Sequence, residues 1–195
     1  MNKDWIGNNK SMSSFIGMHN QVGESREQSD YYATQPTAAE WLIKLEELDD
    51  NIWECACGEG HLSKVFETHG FNVRSTDLVD RGFGQGGVDF LQCSEPWNGD
   101  IVTNPPYKYA QEFIEHALSL VENGNKVCMF LKVQFLEGKR RERLYKDNPP
   151  KTIWVSRARI KCGKNGNFSS SSMVAFAWYV WEKGYHGETV IKWFN

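Results

Sequence analysis

With 195 residues, 40% of them hydrophobic, the chain can bury a core of its own, and no run in it approaches the roughly 20 apolar residues of a membrane span. The net charge of -3 is small, and Trp5 and Ile6 stand among polar residues rather than in an apolar run, so no secretion signal is expected. Five cysteines, an odd number at irregular spacing, read as reduced thiols and point to the cytoplasm.

Residues 1–30 are rich in Asn, Ser, Gly and charge without a period, and read as a mobile polar tail or a partly ordered flap ahead of a single domain over residues 31–195. Ala38 to Leu48 reads as a helix, with Leu42, Ile43, Leu45 and Leu48 largely on one face. Ile52 and Trp53 suggest a strand that ends in an acid, Glu54. Gly58 and Gly60 then mark a tight turn, and Leu62, Val65 and Phe66 give the apolar face of a helix. Glycines there let backbone approach a ligand, and Glu54 can meet a cationic amino group. Alone, a Gly-x-Gly is more often a turn than a site. Asn72 to Asp77 reads as the next strand ending in an acid, a position that commonly chelates ribose hydroxyls. Asp89, with Phe90 beside it, adds a third carboxylate suited to an adenine ring and its amino group. Strand, glycine turn, helix, strand, acid is the pattern of a nucleoside-binding α/β half.

Asp100 to Thr103 reads as a short buried strand, so Asn104-Pro105-Pro106-Tyr107 falls at a strand's C-terminal end, where open α/β sheets bind ligands. An exocyclic amino group is a poor nucleophile because its lone pair is delocalised. An Asn side-chain oxygen and the Pro105 carbonyl can accept its two hydrogens and aim the lone pair at a methyl donor. Two prolines fix the backbone that supplies the carbonyl. Tyr107 offers a flat face for a base, and no general base is demanded. Read in isolation, Pro-Pro equally ends a strand and Tyr107 equally fills a core.

Beyond it, Ala110 to Val121 carries Phe113, Ile114, Ala117, Leu118 and Val121 at helical spacing, Lys126 to Lys132 reads as a buried strand, and Met173 to Trp181 as a long apolar one. Val190 to Phe194 reads as a final strand or a packed end. Between these, charge is uneven. Residues 139–164 hold ten Lys/Arg and two acids, a local +8, whereas residues 1–138 hold ten Lys/Arg and twenty-one acids. Lys139, Arg140, Arg141, Arg157 and Arg159 belong to this basic segment and suit phosphates, although a Lys/Arg-rich helix also makes an ordinary solvated face.

On these motifs the chain resembles S-adenosylmethionine-dependent DNA adenine N6-methyltransferases, in particular the small phage-type enzymes, over about residues 31–181. The resemblance implies an α/β fold, the Rossmann-like class I methyltransferase architecture: a mostly parallel seven-stranded sheet with helices on both faces. It implies S-adenosyl-L-methionine as cofactor, held by Thr34, Glu54, Gly58, Gly60, Asp77, Asp89 and Phe90. Asn104 to Tyr107 becomes the catalytic loop, and Phe168 the aromatic that closes on the other face of a flipped base. DNA, or RNA, is the implied partner, and three readings of its specificity stay open: the 139–170 segment and the polar tail read the sequence, a partner protein does, or specificity is low. The location would be a host's cytoplasm for a phage-encoded protein.

The chain departs from the family where Cys55 replaces the proline usual after the glycine-loop acid. Cys55 and Cys57 lack a second pair at ligand spacing, so no metal site is expected. No proline precedes a cysteine, unlike the cytosine C5 enzymes. Three alternatives stay open: an RNA adenine amino-methyltransferase, a protein glutamine N5-methyltransferase using the same loop on an amide, and a nucleic-acid binder without activity.

Overall fold

The structure is a computed structural model and describes residues 33–158, 160, 162–163 and 174–195. The tail at 1–30, Arg159 and Phe168 lie outside the described residues.

The elements in chain order are β1 (Ala33–Thr34), α1 (Thr37–Leu45), β2 (Asn51–Glu54), α2 (Ser63–Thr68), β3 (Asn72–Ser75), β4 (Asp100–Thr103), α3 (Ala110–Leu120), β5 (Lys126–Lys132), α4 (Glu142–Asp147), β6 (Thr152–Ser156), β7 (Cys162–Gly163), β8 (Phe176–Glu182) and β9 (Val190–Phe194). Seven strands form one sheet in the order β3-β2-β4-β5-β8-β6-β9, and β1 pairs with β7 apart from it. β2 pairs in parallel with β3 and β4, β4 with β5, and β6 with β9, while β8 runs antiparallel to both neighbours. Six strands therefore point the same way. Their C-terminal ends gather Glu54, the segment to Asp77, the Asn104 loop, Lys132 and Arg157 at one end of the sheet.

Alternation along the central strands feeds two cores. Val127, Met129 and Leu131 of β5 join Ala177, Tyr179 and Trp181 of β8 on one face, and Cys128 and Phe130 join Phe176, Trp178 and Val180 on the other. α3 lays Phe113, Ile114 and Ala117 on the first face, and α1 and α2 lay Leu42 and Phe66 on the second. Helices cover both faces, as a parallel sheet requires. α1 stops at Leu45, three residues before the expected end, and the chain turns extended at Glu46. Val190–Phe194 is a true edge strand.

The tryptophans tie elements together through their indole N–H groups. Trp178 donates to the Ala38 carbonyl at 2.9 Å, Trp181 to Asn148 O at 3.0 Å, Trp53 to Thr76 Oγ1 at 2.9 Å and Trp154 to Glu46 Oε1 at 2.8 Å. A buried donor left unpaired costs about 1–3 kcal/mol, so these bonds fix which helix meets which strand.

Candidate active site

Glu54 ends β2 fully inside the protein. Its Oε2 accepts from the Ser63 backbone N–H at 2.8 Å and from the Ser63 hydroxyl. Burial pushes its carboxyl up to about 8, against the lowering effect of the Ser63 bonds. At neutral pH Glu54 is therefore mostly protonated.

The chain then turns through Gly58 and Gly60, with φ of 56° and 76°. This is the left-handed region that glycine occupies without penalty. A Cβ on Gly60 would also lie 2.3 Å from the Phe83 ring, so the second glycine is needed for space as well as for φ. Asp77 holds the turn closed: Oδ2 accepts from Gly58 N–H and Oδ1 from Val79 N–H, both at 2.8 Å. A carboxylate offers about four acceptor positions, so about two remain on Asp77.

Cys55 and Cys57 are buried, and burial drives both thiols up, Cys57 to about 12. Thiols so protonated are poor metal ligands and nucleophiles. Among the described residues no cluster of three or more His, Cys, Asp or Glu could hold a metal ion.

β4 delivers Asn104, Pro105, Pro106 and Tyr107 to the same end of the sheet. Pro106 is extended at ψ 118° and its carbonyl accepts from Tyr109 N–H at 2.9 Å, which starts a short 3-10 helix over Tyr107–Tyr109. Tyr107 is half-buried, its ring centroid 6.2 Å from that of Phe176. Lys132, the cross-strand partner of Phe176, brings its Nζ to 4.8 Å from the Tyr107 ring centre.

One cavity of about 430 Å³ joins these pieces. Thr34, Glu54, Asp77 and Asp89 line it together with Phe90 and the whole of Asn104–Tyr107. Thr34 is only 3% exposed, and its hydroxyl has no hydrogen-bond partner among the described residues. Asp89 is exposed, and its Oδ1 accepts from Leu91 N–H at 3.1 Å, capping the turn that carries Phe90. Phe90 itself is committed to the core, with ring centroids 5.2 Å from Trp53 and 5.0 Å from Phe113. It forms a wall of the cavity rather than a platform.

The basic residues divide. Lys139 and Arg140 are exposed on the turn after β5. Arg141 stacks 4.2 Å from the Phe135 ring and bonds to the Glu137 carbonyl, which makes it part of that turn's own scaffold. Arg157 is exposed just past β6, its backbone N–H on Phe194 O and Asn195 Oδ1.

Several lining residues escape a motif reading: Leu78, Val79, Arg81, Lys108 and Tyr109. Leu78 and Val79 follow the acid directly, and Lys108 and Tyr109 follow the loop directly. Their position next to a motif was the available signal.

No protein-family model and no curated protein sequence matches the chain. Solved structures do share its fold. A candidate class I S-adenosylmethionine-dependent methyltransferase from Listeria monocytogenes superposes with a TM-score of 0.57 at 14% identity, over 80% of this chain and 62% of its own. A candidate RNA methyltransferase from Pyrococcus horikoshii gives 0.57 at 12% identity, over 90% and 99%. The type IIG restriction endonuclease BpuSI gives 0.52 at 16% identity, over 76% of this chain but 24% of the enzyme. This chain thus spans less than two thirds of the first of these and nearly all of the second. The order of strands, the helices on both faces and these superpositions give the chain the Rossmann-like fold of class I S-adenosylmethionine-dependent methyltransferases.

Proposed function

We propose that this chain transfers a methyl group from S-adenosylmethionine to the exocyclic amino group of adenine in DNA, on a base turned out of its stack. The observation that carries the reading is that one cavity is lined at once by Glu54, Asp77 and Asp89, by Cys55–Cys57 ahead of the glycines, and by Asn104–Tyr107, while Gly58 and Gly60 shape the turn without lining it. The neighbours' names differ in substrate, and at these identities none of them transfers.

The residues present fit the cofactor. The buried Thr34 hydroxyl suits a carboxylate acceptor, Glu54 suits an amino group, Asp77 suits ribose hydroxyls, and Asp89 suits the amino group of an adenine lying along the Phe90 wall. When bound, the cofactor supplies a sulfonium methyl open to direct in-line displacement. The chain's part is to hold the acceptor. Asn104 Oδ1 and the Pro105 carbonyl take the two amino hydrogens, which frees the nitrogen lone pair and fixes its direction. Tyr107 presents its ring to the base, and the proline pair keeps the accepting carbonyl from moving. Lys139, Arg140 and Arg157 meet backbone phosphates.

The test is chemical identification of the product. The protein is incubated with methyl-labelled S-adenosylmethionine and DNA, RNA or a release factor, and the product is digested to nucleosides or amino acids. Label in N6-methyladenine from DNA is the expected result. Label in a glutamine amide, or in RNA alone, overturns the substrate assignment.

A further inference from the structure

The 3-10 helix Tyr107–Tyr109 carries two aromatic rings, and each has an ammonium over one of its faces. Lys132 Nζ lies 4.8 Å from the Tyr107 ring centre, and Lys108 Nζ lies 5.0 Å from that of Tyr109. A 3-10 helix completes a turn in about three residues, so residues two apart face different ways. Tyr107 accordingly packs inward against Phe176 while Tyr109 stays 43% exposed. Both line the cavity, yet Tyr109 belongs to neither hydrophobic core. A large, partly exposed ring that lines a site and lies outside both cores of the described residues has a surface to offer.

We propose that Tyr109 and Lys108 form a second nucleotide subsite, which stacks the base next to the target adenine and meets its phosphate, so that the preferred substrate is an unpaired DNA strand. The inference rests on the amino-methyltransferase reading of Asn104–Tyr107. Its physical basis is the repeated pairing of a flat ring for a base with an ammonium for a phosphate, the combination that binds single strands without reading sequence. A base that stacks on Tyr109 must leave its neighbours as the target does. In a duplex that breaks pairing at two successive positions, whereas in a single strand the cost is small. Because every base has a π-face, this subsite tolerates any neighbour.

The experiment uses the full chain with the demethylated cofactor product, so that no turnover occurs. Oligonucleotides carry one adenine and a fluorescent 2-aminopurine on its 5′ or 3′ side, as a single strand or annealed to a complement. The unsubstituted protein is expected to bind the single strand more tightly than the duplex and to change the fluorescence at one of the two flanking positions. Tyr109→Ala should abolish that change and raise the Kd for the strand by roughly 5- to 150-fold, with deoxyadenosine monophosphate binding unaltered. Tyr109→Phe should keep both, and Lys108→Met should reduce the slope of log K against log salt by about one phosphate's worth. Melting curves and cofactor-product binding check that each variant is folded. Tighter binding to duplex, lost in Tyr109→Ala, would instead make Tyr109 a wedge that fills the gap left by the target base, and would overturn the single-strand assignment. An unchanged strand affinity in Tyr109→Ala overturns the subsite while leaving the adenine reading intact. Methylation of a glutamine amide but of no nucleic acid removes both.

Discussion

Asp77 and Arg143 are both charged side chains of this protein, and they live in opposite conditions. Asp77 is buried, with each oxygen fixed at 2.8 Å to a backbone N–H of the loops it joins. Arg143 has 91% of its side chain in solvent and, among the described residues, pairs with Asp147 at 3.2 Å, one turn along its own helix. The contrast extends to their surroundings. Glu54, Ser63 and Thr34 are withdrawn from water around the glycine turn, whereas Lys139 and Arg140 project freely from the segment after β5. A small ligand needs its partners placed beforehand, because binding must repay their desolvation. A polyanion can be gathered by exposed charge with little geometric constraint, and such pairs contribute mainly through counterion release.

If that division is right, damage to the buried side should act on chemistry and cofactor, and damage to the exposed side on substrate encounter. The largest effect is expected from Asn104→Ala. Loss of one transition-state acceptor should lower kcat by about 10²–10³, by analogy with other preorganised donors and acceptors, with cofactor affinity nearly unchanged. Steady-state kinetics beside a cofactor titration check this, and equal losses in both would make Asn104 part of the scaffold. Next comes Asp77→Ala. A ligand at a hundred times its Kd stabilises the folded state by about 2.7 kcal/mol, and the variant should lose most of that melting shift. A full shift in the variant would break the assignment of Asp77 to the cofactor.

A smaller and pH-dependent effect belongs to Glu54. Its folded pKa of about 8 lies above the ordinary 4.5, so between those values the folded state holds a proton that the unfolded state has released. Its contribution to stability is therefore fully present below about pH 4.5, declines as the pH rises and is exhausted near pH 8. Glu54→Gln, which keeps an acceptor for Ser63, should flatten the fall in stability between pH 6 and pH 8 by something on the order of 1–2 kcal/mol. Denaturant melts across that range decide it, and parallel curves for the two proteins would count against the buried-acid picture. The mildest change is expected from Lys139→Gln with Arg140→Gln. DNA binding should weaken at low salt, and the slope of log K against log salt should fall by about two, with kcat at saturating DNA preserved. An unaltered slope would sharpen the comparison differently, by confining the phosphate contacts to other lysines and arginines.

Much of the strand–turn–acid framework was legible because its logic is local in sequence. A strand ending in Glu54, glycines at 58 and 60 that must turn with positive φ, and an acid two residues after the next strand are each set within a few positions. The Asn104 loop was legible for the same reason. What stayed hidden depends on tertiary placement. Nothing near Phe90 reveals that Trp53 and Phe113 will claim its ring, and nothing near Arg141 reveals that it will stack on Phe135. The basic run looked uniform in sequence, but folding assigns Arg141 to structure and leaves Lys139 exposed. The parallel pairing of β9 with β6 joins residues 152–156 to 190–194 across the chain, a pairing that no local period encodes.

The raised acid at the end of β2 has a thermodynamic consequence for the cofactor. A carboxyl that is neutral in the empty protein must ionise to receive an ammonium, so uptake of the ligand would expel a proton into the solvent. The heat measured by calorimetry would then vary with the ionisation enthalpy of the buffer. Apparent affinity would drop by up to about tenfold for each pH unit below 8, because one proton is exchanged per ligand bound. If Glu54 receives the amino group as proposed, acidification of the surroundings would thus lower cofactor occupancy without touching any residue of the Asn104 loop.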